Sequence, residues 1–552
     1  MPSQTILLTD PFLQFPTDTT VHVVWFTEFV GKEHTVTYGE KLQKTTIART
    51  TKLSRTREDR NSWIGEQQED GTVFSRTTAR AIWRHEAEIT ELAADRRIPY
   101  FVTSFRKDGM SVQSEKFTLS AAPSIGKPLK ILLTSDHQLK PMTAANLQKV
   151  EETIPFVDAV FHAGDLVDIP DRASEWFDDS RGGAFFPSLQ GRANYELDKN
   201  GNKTRYSGGK LIQYAPIFPT IGNHEVMGQF STEDDLDRQM SHAIPRTIAE
   251  KLYSENPENS ASMQDSEKRI KDRSFNTQTY EEIFSSPGNE KYYAVSFGDI
   301  RLVVLYITNI WRLPSLEPDV RGRYQEKKAD FNDPQKWGYG QFIFESIERG
   351  SPQYQWLEAE LNSSEFQNAK YKIVMFHHPP HTLGGNIVPP YTDPVQVVDR
   401  DGAGNITSIR YEYPQERDYI IRDVVPLLKT AGVQLVFYGH SHLWNRFKDG
   451  EVNFLESSNV GNSYGAHVDG NRRPISPDSN YAALGDPNGL EAIVPTLSPL
   501  LDDNDRAIPY IASNDITVFS ILDTGTGTVS SYRFDTRSPN SDVIKFDEFS
   551  LD

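Results

Sequence analysis

One pattern, repeated five times, constrains this chain more than anything else in it. A short apolar run stops on residues able to hold a cation or carry a proton. Residues 130–135 run into Asp136, and residues 156–161 run through Gly164 into Asp165. Residues 215–221 end in Gly222, Asn223, His224 and Glu225. Residues 371–376 end in His377, His378, Pro379, Pro380 and His381, and residues 433–438 in Gly439, His440, Ser441 and His442. Between the first two runs, Ala144, Leu147, Val150 and Ile154 recur at helical spacing. Strand, helix, strand in that order is a βαβ unit, whose strands are parallel. Parallel strands end on one edge, the edge where open α/β sheets bind ligands, so Asp136 and Asp165 are expected side by side there. Gly164 lets the chain turn into Asp165 without a Cβ penalty.

Composition narrows what those residues can do. The chain has 552 residues, too many for one ordinary core, and two to four domains are expected. It has no cysteine, so disulfides and thiolate metal sites are excluded, and any metal is held by His, Asp, Glu, Asn or Gln. The formal net charge of -19 argues against general nucleic-acid or anionic-membrane binding, which needs basic surface. No stretch approaches the roughly 20 apolar residues of a membrane span. The first ten residues lack a basic segment followed by a long apolar run, so no signal peptide is visible and cytoplasmic residence is the default expectation.

Residues 1–125 read differently from the rest. Residues 19–27, 36–39, 81–92, 100–102 and 117–119 are short runs rich in β-branched and aromatic residues between polar turns, which predicts a small β-sandwich. Residues 121–128 look like a linker, and residues 126–552 form the second unit. Within it, polar stretches near 171–210, 226–290 and 312–350 are expected insertions, the first a loop and the second partly helical. Residues 292–297 and 300–307 flank Gly298 as a hairpin, and a helix over 353–361 is expected to turn Trp356 inward. A helix over 419–430 should bend near Pro426. Residues 516–521 and 529–534 close the chain as a glycine-linked strand pair.

Taken singly, each cluster has an ordinary explanation: a cap, a turn, a structural histidine. Five of them, each at the end of an apolar strand in one α/β region, are hard to explain as separate turns. Together the blocks Asp136-His137-Gln138, Gly164-Asp165, Gly222-Asn223-His224-Glu225, His377-His378-Pro379 and Gly439-His440-Ser441-His442 resemble the calcineurin-like metallophosphoesterase superfamily. The preceding β-sandwich makes the chain more similar to the purple acid phosphatase branch, which carries a fibronectin-III-like N-terminal domain. The resemblance implies an α/β fold: a metallophosphoesterase β-sandwich flanked by helices in four α/β/β/α layers, preceded by a small all-β domain.

It also implies a binuclear metal-dependent phosphoric ester hydrolase acting on small phosphorylated substrates, chiefly monoesters, by in-line attack of metal-activated hydroxide. Asp165 would bridge two ions, divalent or trivalent, of Fe, Mn or Zn. One site would use Asp136, Asp165 and His442, and the other Asp165, Asn223, His377 and His440. His224 would protonate the leaving group or stabilise the phosphoryl charge. Glu225 would orient the backbone or His224. His378 and His381 are candidates for the substrate side or for support of the ligands; His137 is not expected as a ligand, His162 reads as buried, and Trp444 either walls the pocket or is core. Relatives of this branch are commonly exported, so the resemblance leaves export open.

Two departures from the family pattern matter. Gln138 stands where the superfamily has a histidine and the purple acid phosphatases a glycine, and Asp168 stands where the latter place a ligand tyrosine. Gln138 through its amide oxygen, or Asp168 through its carboxylate, is expected to complete the first site, making it oxygen-rich and favouring Mn or Fe(II), or even Mg, over Zn. The alternatives are a phosphodiesterase or nucleotide hydrolase on the same scaffold, which the ligands do not separate, and a non-catalytic interaction scaffold, which the retained ligands and His224 argue against.

Overall fold

The computed structural model describes residues 7–64, 74–254, 263–289, 291–310, 325–341, 345–385, 391–468, 470–473 and 480–551. Two large sheets form its centre. The six-stranded sheet runs Ile217–Pro219, Ala159–His162, Lys130–Thr134, Ile516–Asp523, Thr528–Asp535, Ile544–Ser550. The seven-stranded sheet runs Tyr293–Phe297, Ile300–Val304, Tyr371–Met375, Leu435–Tyr438, Val452–Ser457, Trp444–Asp449, Tyr510–Ile511.

Alternation along the strands explains why the sheets stack. Ile131 and Leu133 face Ile373, Met375, Leu435 and Phe437 in one apolar layer between the sheets. Their neighbours point outward: Leu132 and Val160 meet Leu147 and Val150 of the helix Thr143–Thr153. On the far side Val374 and Val436 meet Leu357 and Leu361 of the helix Pro352–Leu361, with Val425 and Leu428 of the helix Val425–Thr430. Strands buried on both faces read as continuous apolar runs, which is why they stand out in the sequence. The expected order of helix, sheet, sheet, helix is the order found.

Register then sets the site. Thr134 pairs with His162, and His162 with Pro219, all in parallel, so Asp136, Asp165 and Asn223 leave one sheet at one edge. In the other sheet Met375 pairs with Phe437, also in parallel, so His377 and Gly439 leave it level with each other.

The N-terminal part is all β. A four-stranded sheet (Phe12–Gln14, Val21–Thr27, Trp83–Ile89, Arg49–Lys52) faces a five-stranded one built on Ile98–Phe105 and Glu33–Tyr38, as a fibronectin-like sandwich does. The outer face of the smaller sheet is apolar as well. Phe12 and Phe26 pack on Phe186 with ring centroids 4.9 and 5.5 Å apart, so this sandwich is joined to the α/β part by shared core.

Three sequence expectations change. Residues 171–210, expected as a loop, hold two short helices, Ala173–Phe177 and Phe185–Leu189, and the hairpin Tyr195–Lys199 with Asn202–Tyr206. Trp176, Phe185 and Phe186 are buried there, and their apolar weight was hidden among Arg, Asp and Gly. Trp356 is half-buried against Tyr292, while Tyr354, Leu357 and Leu361 form the inward face of its helix. Residues 419–430 do not form one bent α-helix: a π-helical turn, Ile420–Val424, precedes Val425–Thr430. Pro426 lies in the first turn of that second helix, where its missing N–H is tolerated. Part of the expected insertion 312–350 lies outside the described residues. Among the described residues no helix is long and apolar enough to cross a membrane.

Candidate metal centre

Backbone conformation at the two strand edges is unusual. Asp136, Gln138, Asp165, His440 and His442 all have positive φ, between 34° and 82°. Such strain gathers at functional sites because the surrounding fold must hold it in place. The glycines beside them leave room for close approach. A Cβ on Gly439 would lie 2.2 Å from Asp136 Oδ2, and one on Gly222 the same distance from Asp165 Oδ1.

The side chains converge. Asn223 Oδ1 lies 2.9 Å from His440 Nδ1 and 3.1 Å from His377 Nε2. His377 Nε2 is also 3.2 Å from His440 Nδ1 and 3.2 Å from Asp165 Oδ2. His377 Nδ1 donates to the carbonyl of Ala163 at 2.8 Å, which turns the Nε2 lone pair of the neutral ring inward. On the other side of Asp165, His442 Nε2 lies 3.4 Å from Asp136 Oδ1, and His442 Nδ1 donates to the Asn462 carbonyl at 3.0 Å. Both Asp136 oxygens accept the His440 backbone N–H, at 3.1 and 2.9 Å.

Electrostatics says what such a cluster needs. Two imidazole lone pairs, an amide oxygen and a carboxylate oxygen within about 3 Å repel one another unless positive charge sits among them. Without a metal, a proton does this task. Burial alone would lower the His377 pKa, but Asp165, with Asp136 behind it, holds the imidazole up to about 10. Burial would likewise raise Asp165, and His377 and His224 outweigh it, holding this carboxyl well below its usual range. Burial and neighbouring imidazoles push His378 and His440 far down, so both rings are neutral.

Gln138 Oε1 and His378 Nδ1 are among the buried atoms of the described residues that have no hydrogen-bond partner. Gln138 Nε2 donates to Asp165 Oδ2 at 2.7 Å, so its amide is in place and its free oxygen is available to a cation. His378 Nε2 lies 3.1 Å from the Asn309 amide nitrogen, and its ring lies 3.9 Å from that of His440. Potential ligand atoms of Asp136, Asp165 and His377 lie within 4.8 Å of one another, as do those of His377, His378 and His440. These residues fit metal ions.

Two expected site residues face elsewhere. Asp168, expected near the first metal, turns its carboxylate toward Lys140 (3.8 Å) and His224 Nδ1 (3.4 Å). Its carbonyl accepts from His224 Nδ1 at 2.7 Å, so Asp168 orients that ring. The reason is Glu175, whose buried carboxylate accepts the backbone N–H groups of Asp168 and Ile169 and fixes the turn. His381, expected on the substrate side, is paired instead through Nδ1 with Asp486 at 3.0 Å. It lines a separate cavity with Ile421, Val425 and Lys429.

Three buried carboxylates hold the ligand loops. Glu225 accepts from the backbone N–H groups of Asp165, Leu166 and Gly222 at 2.7–2.8 Å, and burial next to Asp165 pushes its carboxyl up to about 8. Glu456 accepts from the Ser441 N–H at 2.7 Å, and burial pushes it up to about 8 too. Glu175 does the same for Asp168, and burial pushes it up to about 7. Of these, Glu456 and Glu175 were missed in the sequence. For Glu456 the signal was a charged residue inside the apolar strand Val452–Ser457. Beside the cluster a cavity of about 580 Å³ is lined by Gln138, Lys140, Asp168, Lys199 and Asn462, among others.

Residues 129–443 match the family model for calcineurin-like phosphoesterases, more than half of the chain. The chain belongs to the calcineurin-like phosphoesterase family. It is thus a metal-dependent phosphoester hydrolase. Members of this phosphoesterase fold generally use two metal ions, and the clusters above supply His and Asp groups that could hold them. The fold is similar to that of purple acid phosphatase PPD1 from yellow lupin (Lupinus luteus) seeds, with a TM-score of 0.52 at 14% identity over 98% of this chain and 74% of that one. A structure of PhoD matches with a TM-score of 0.46 at 11% identity, over 98% of this chain and 90% of that one. No curated protein sequence matches this calcineurin-like phosphoesterase at a significant level.

Proposed function

We propose that this phosphoesterase is a binuclear phosphomonoesterase. Asp165 would help to hold both ions, with Asn223, His377 and His440 holding one and Asp136, His442 and the Gln138 amide oxygen the other. The observation that carries this reading is the crowding of acceptor atoms around His377 Nε2, three of them at 3.1–3.2 Å. One site then has a single imidazole among oxygen donors, which favours Mn or Fe(II) over Zn there.

Bound ions would supply Lewis acidity, lowering the pKa of water and neutralising phosphoryl charge. The protein's own groups do the rest. His224 Nδ1 is held as a donor by the Asp168 carbonyl, so Nε2 is the atom that exchanges a proton with the leaving oxygen. The Asp168 carboxylate lies 3.4 Å from the same Nδ1 and helps to fix the ring. Lys140 at the rim adds positive charge suited to the dianion of a monoester.

A second reading, hydrolysis of a diester or nucleotide, draws on the 580 Å³ cavity, which has room for a group larger than phosphate. The test is reconstitution of the metal-free protein with Mn, Fe or Zn, followed by assays on p-nitrophenyl phosphate and bis(p-nitrophenyl) phosphate. The monoesterase reading expects the monoester to be turned over faster with Mn or Fe. Preference for the diester with every metal would replace it by the second reading.

A further inference from the structure

A large aromatic side chain stands at the mouth of this otherwise buried cluster. Tyr464 is 55% exposed, whereas Asp136, Asp165, His377 and His442 are buried. Its ring centroid lies 5.2 Å from that of His442, with the planes tilted by 34°. It is near enough for the charges of Asp168, Asp165 and Asp136 to act on its hydroxyl.

The loop that carries Tyr464 is fixed at both ends. The Met142 N–H donates to the Val460 carbonyl at 2.9 Å, and the Ser463 N–H to Asn514 Oδ1 at 2.7 Å. The Gly385 N–H donates to the Gly465 carbonyl at 2.9 Å. Gly461, Asn462 and Gly465 take positive φ, so the turn has a defined shape. Asn462 ties the ring to the metal cluster directly: its carbonyl accepts from His442 Nδ1, and its side-chain nitrogen donates to the Tyr464 hydroxyl at 3.2 Å. An aromatic ring held in this way loses little entropy when a second flat ring lies on it.

We propose that Tyr464 is a specificity-determining residue, a stacking shelf for a planar aromatic ring in the leaving group of the phosphomonoester. A nucleobase and an aryl group share this chemistry. The proposal rests on the phosphomonoesterase reading above and adds the substrate class to it. Asn514, Asn462 and Lys140 would then face the polar edge of the leaving group, because they line the adjoining cavity.

Two substrate pairs test it on the manganese-loaded protein: adenosine 5′-monophosphate with ribose 5-phosphate, and phosphotyrosine with phosphoserine. Within a pair, the ratio of kcat/KM values reports the ring, and comparing variants cancels the intrinsic reactivity of each substrate. Tyr464→Ala should lower that ratio by about 5- to 150-fold in at least one pair, the range expected for loss of one ring-on-ring stack. Tyr464→Phe should keep it, because stacking does not need the hydroxyl. The pair that responds identifies the ring as nucleobase or aryl. Equal losses on both members of each pair, or no ring preference in the natural protein, would overturn the proposal while leaving the hydrolase reading intact. If no monoester is turned over, p-nitrophenyl phosphate included, the phosphomonoesterase reading fails instead. Ring recognition is then read from dissociation constants of the same pairs by calorimetry, and equal affinities within both pairs overturn it.

Discussion

The side-chain oxygen of Asn223 lies 2.9 Å from Nδ1 of His440, across 217 residues of sequence. Asn223 leaves the six-stranded sheet and His440 the seven-stranded one, so this contact joins the tops of the two sheets. Asp165 sits beside it and carries the largest share of negative charge facing His377. Asp165→Ala should therefore abolish metal retention and activity together. Thermal unfolding with and without a chelator checks this: the natural protein should lose about 3 kcal/mol or more when metal is removed from a hundredfold excess over its Kd, and the variant nothing.

His224 should separate chemistry from metal binding. With Asp168 holding its Nδ1, His224→Ala should lower kcat by about 10²- to 10⁴-fold at unchanged metal content. Asp168→Asn keeps the backbone carbonyl bond to the ring and should cost much less, of the order of tenfold. Pre-steady-state kinetics with metal analysis of the same samples checks both.

Gly439 tests how closely the loops approach. A Cβ there would come within 2.1 Å of Ser135 Oγ and 2.2 Å of Asp136 Oδ2, so Gly439→Ala must displace a proposed ligand. A stability loss of roughly 1–3 kcal/mol is expected, with reduced metal affinity. Gly402→Ala, where nothing lies within 4 Å, should stay within about 0.5 kcal/mol of the parent. Denaturant unfolding of the two variants makes the comparison.

Acid should weaken the N-terminal sandwich. His85 is buried between Thr27 Oγ1 and Thr50 Oγ1 and stacks on His34 with ring centroids 3.5 Å apart. Burial, then the neighbouring His34 and Arg84, pushes the His85 pKa down to about 2, and burial lowers His34 as well. Below about pH 6.5 the unfolded chain takes up protons that the folded His85 refuses until about pH 2, so stability falls as pH drops through that window. Each such group contributes a slope of about 1.4 kcal/mol per pH unit. Unfolding free energies between pH 7.5 and 5 measure the slope, and His85→Gln should reduce it.

The catalytic edge was legible in the sequence because its strands are buried on both faces. Continuous apolar runs marked them, the βαβ pattern put Asp136 and Asp165 on one edge, and the parallel register of the structure adds Asn223 to it. What a side chain faces after the strand ends was less legible. His381 lies four residues beyond His377, and Asp486, more than 100 residues away, decides its direction. Asp168 follows Asp165 by three residues, yet Glu175 turns its backbone and gives it His224 as a partner. The packed helices within residues 171–210 were hidden because Trp176, Phe185 and Phe186 are scattered among charged residues that pair across the sandwich. One of these pairs is Arg172 with Asp59.

The proposed function requires two ions held in part by Asp165, both needed for turnover. Metal analysis of the purified protein against specific activity, as manganese is titrated into metal-free samples, tests it most directly. Activity should rise to its maximum only as the second equivalent per chain binds, and Asp165→Ala should retain no metal. Full activity at one equivalent per chain would contradict it.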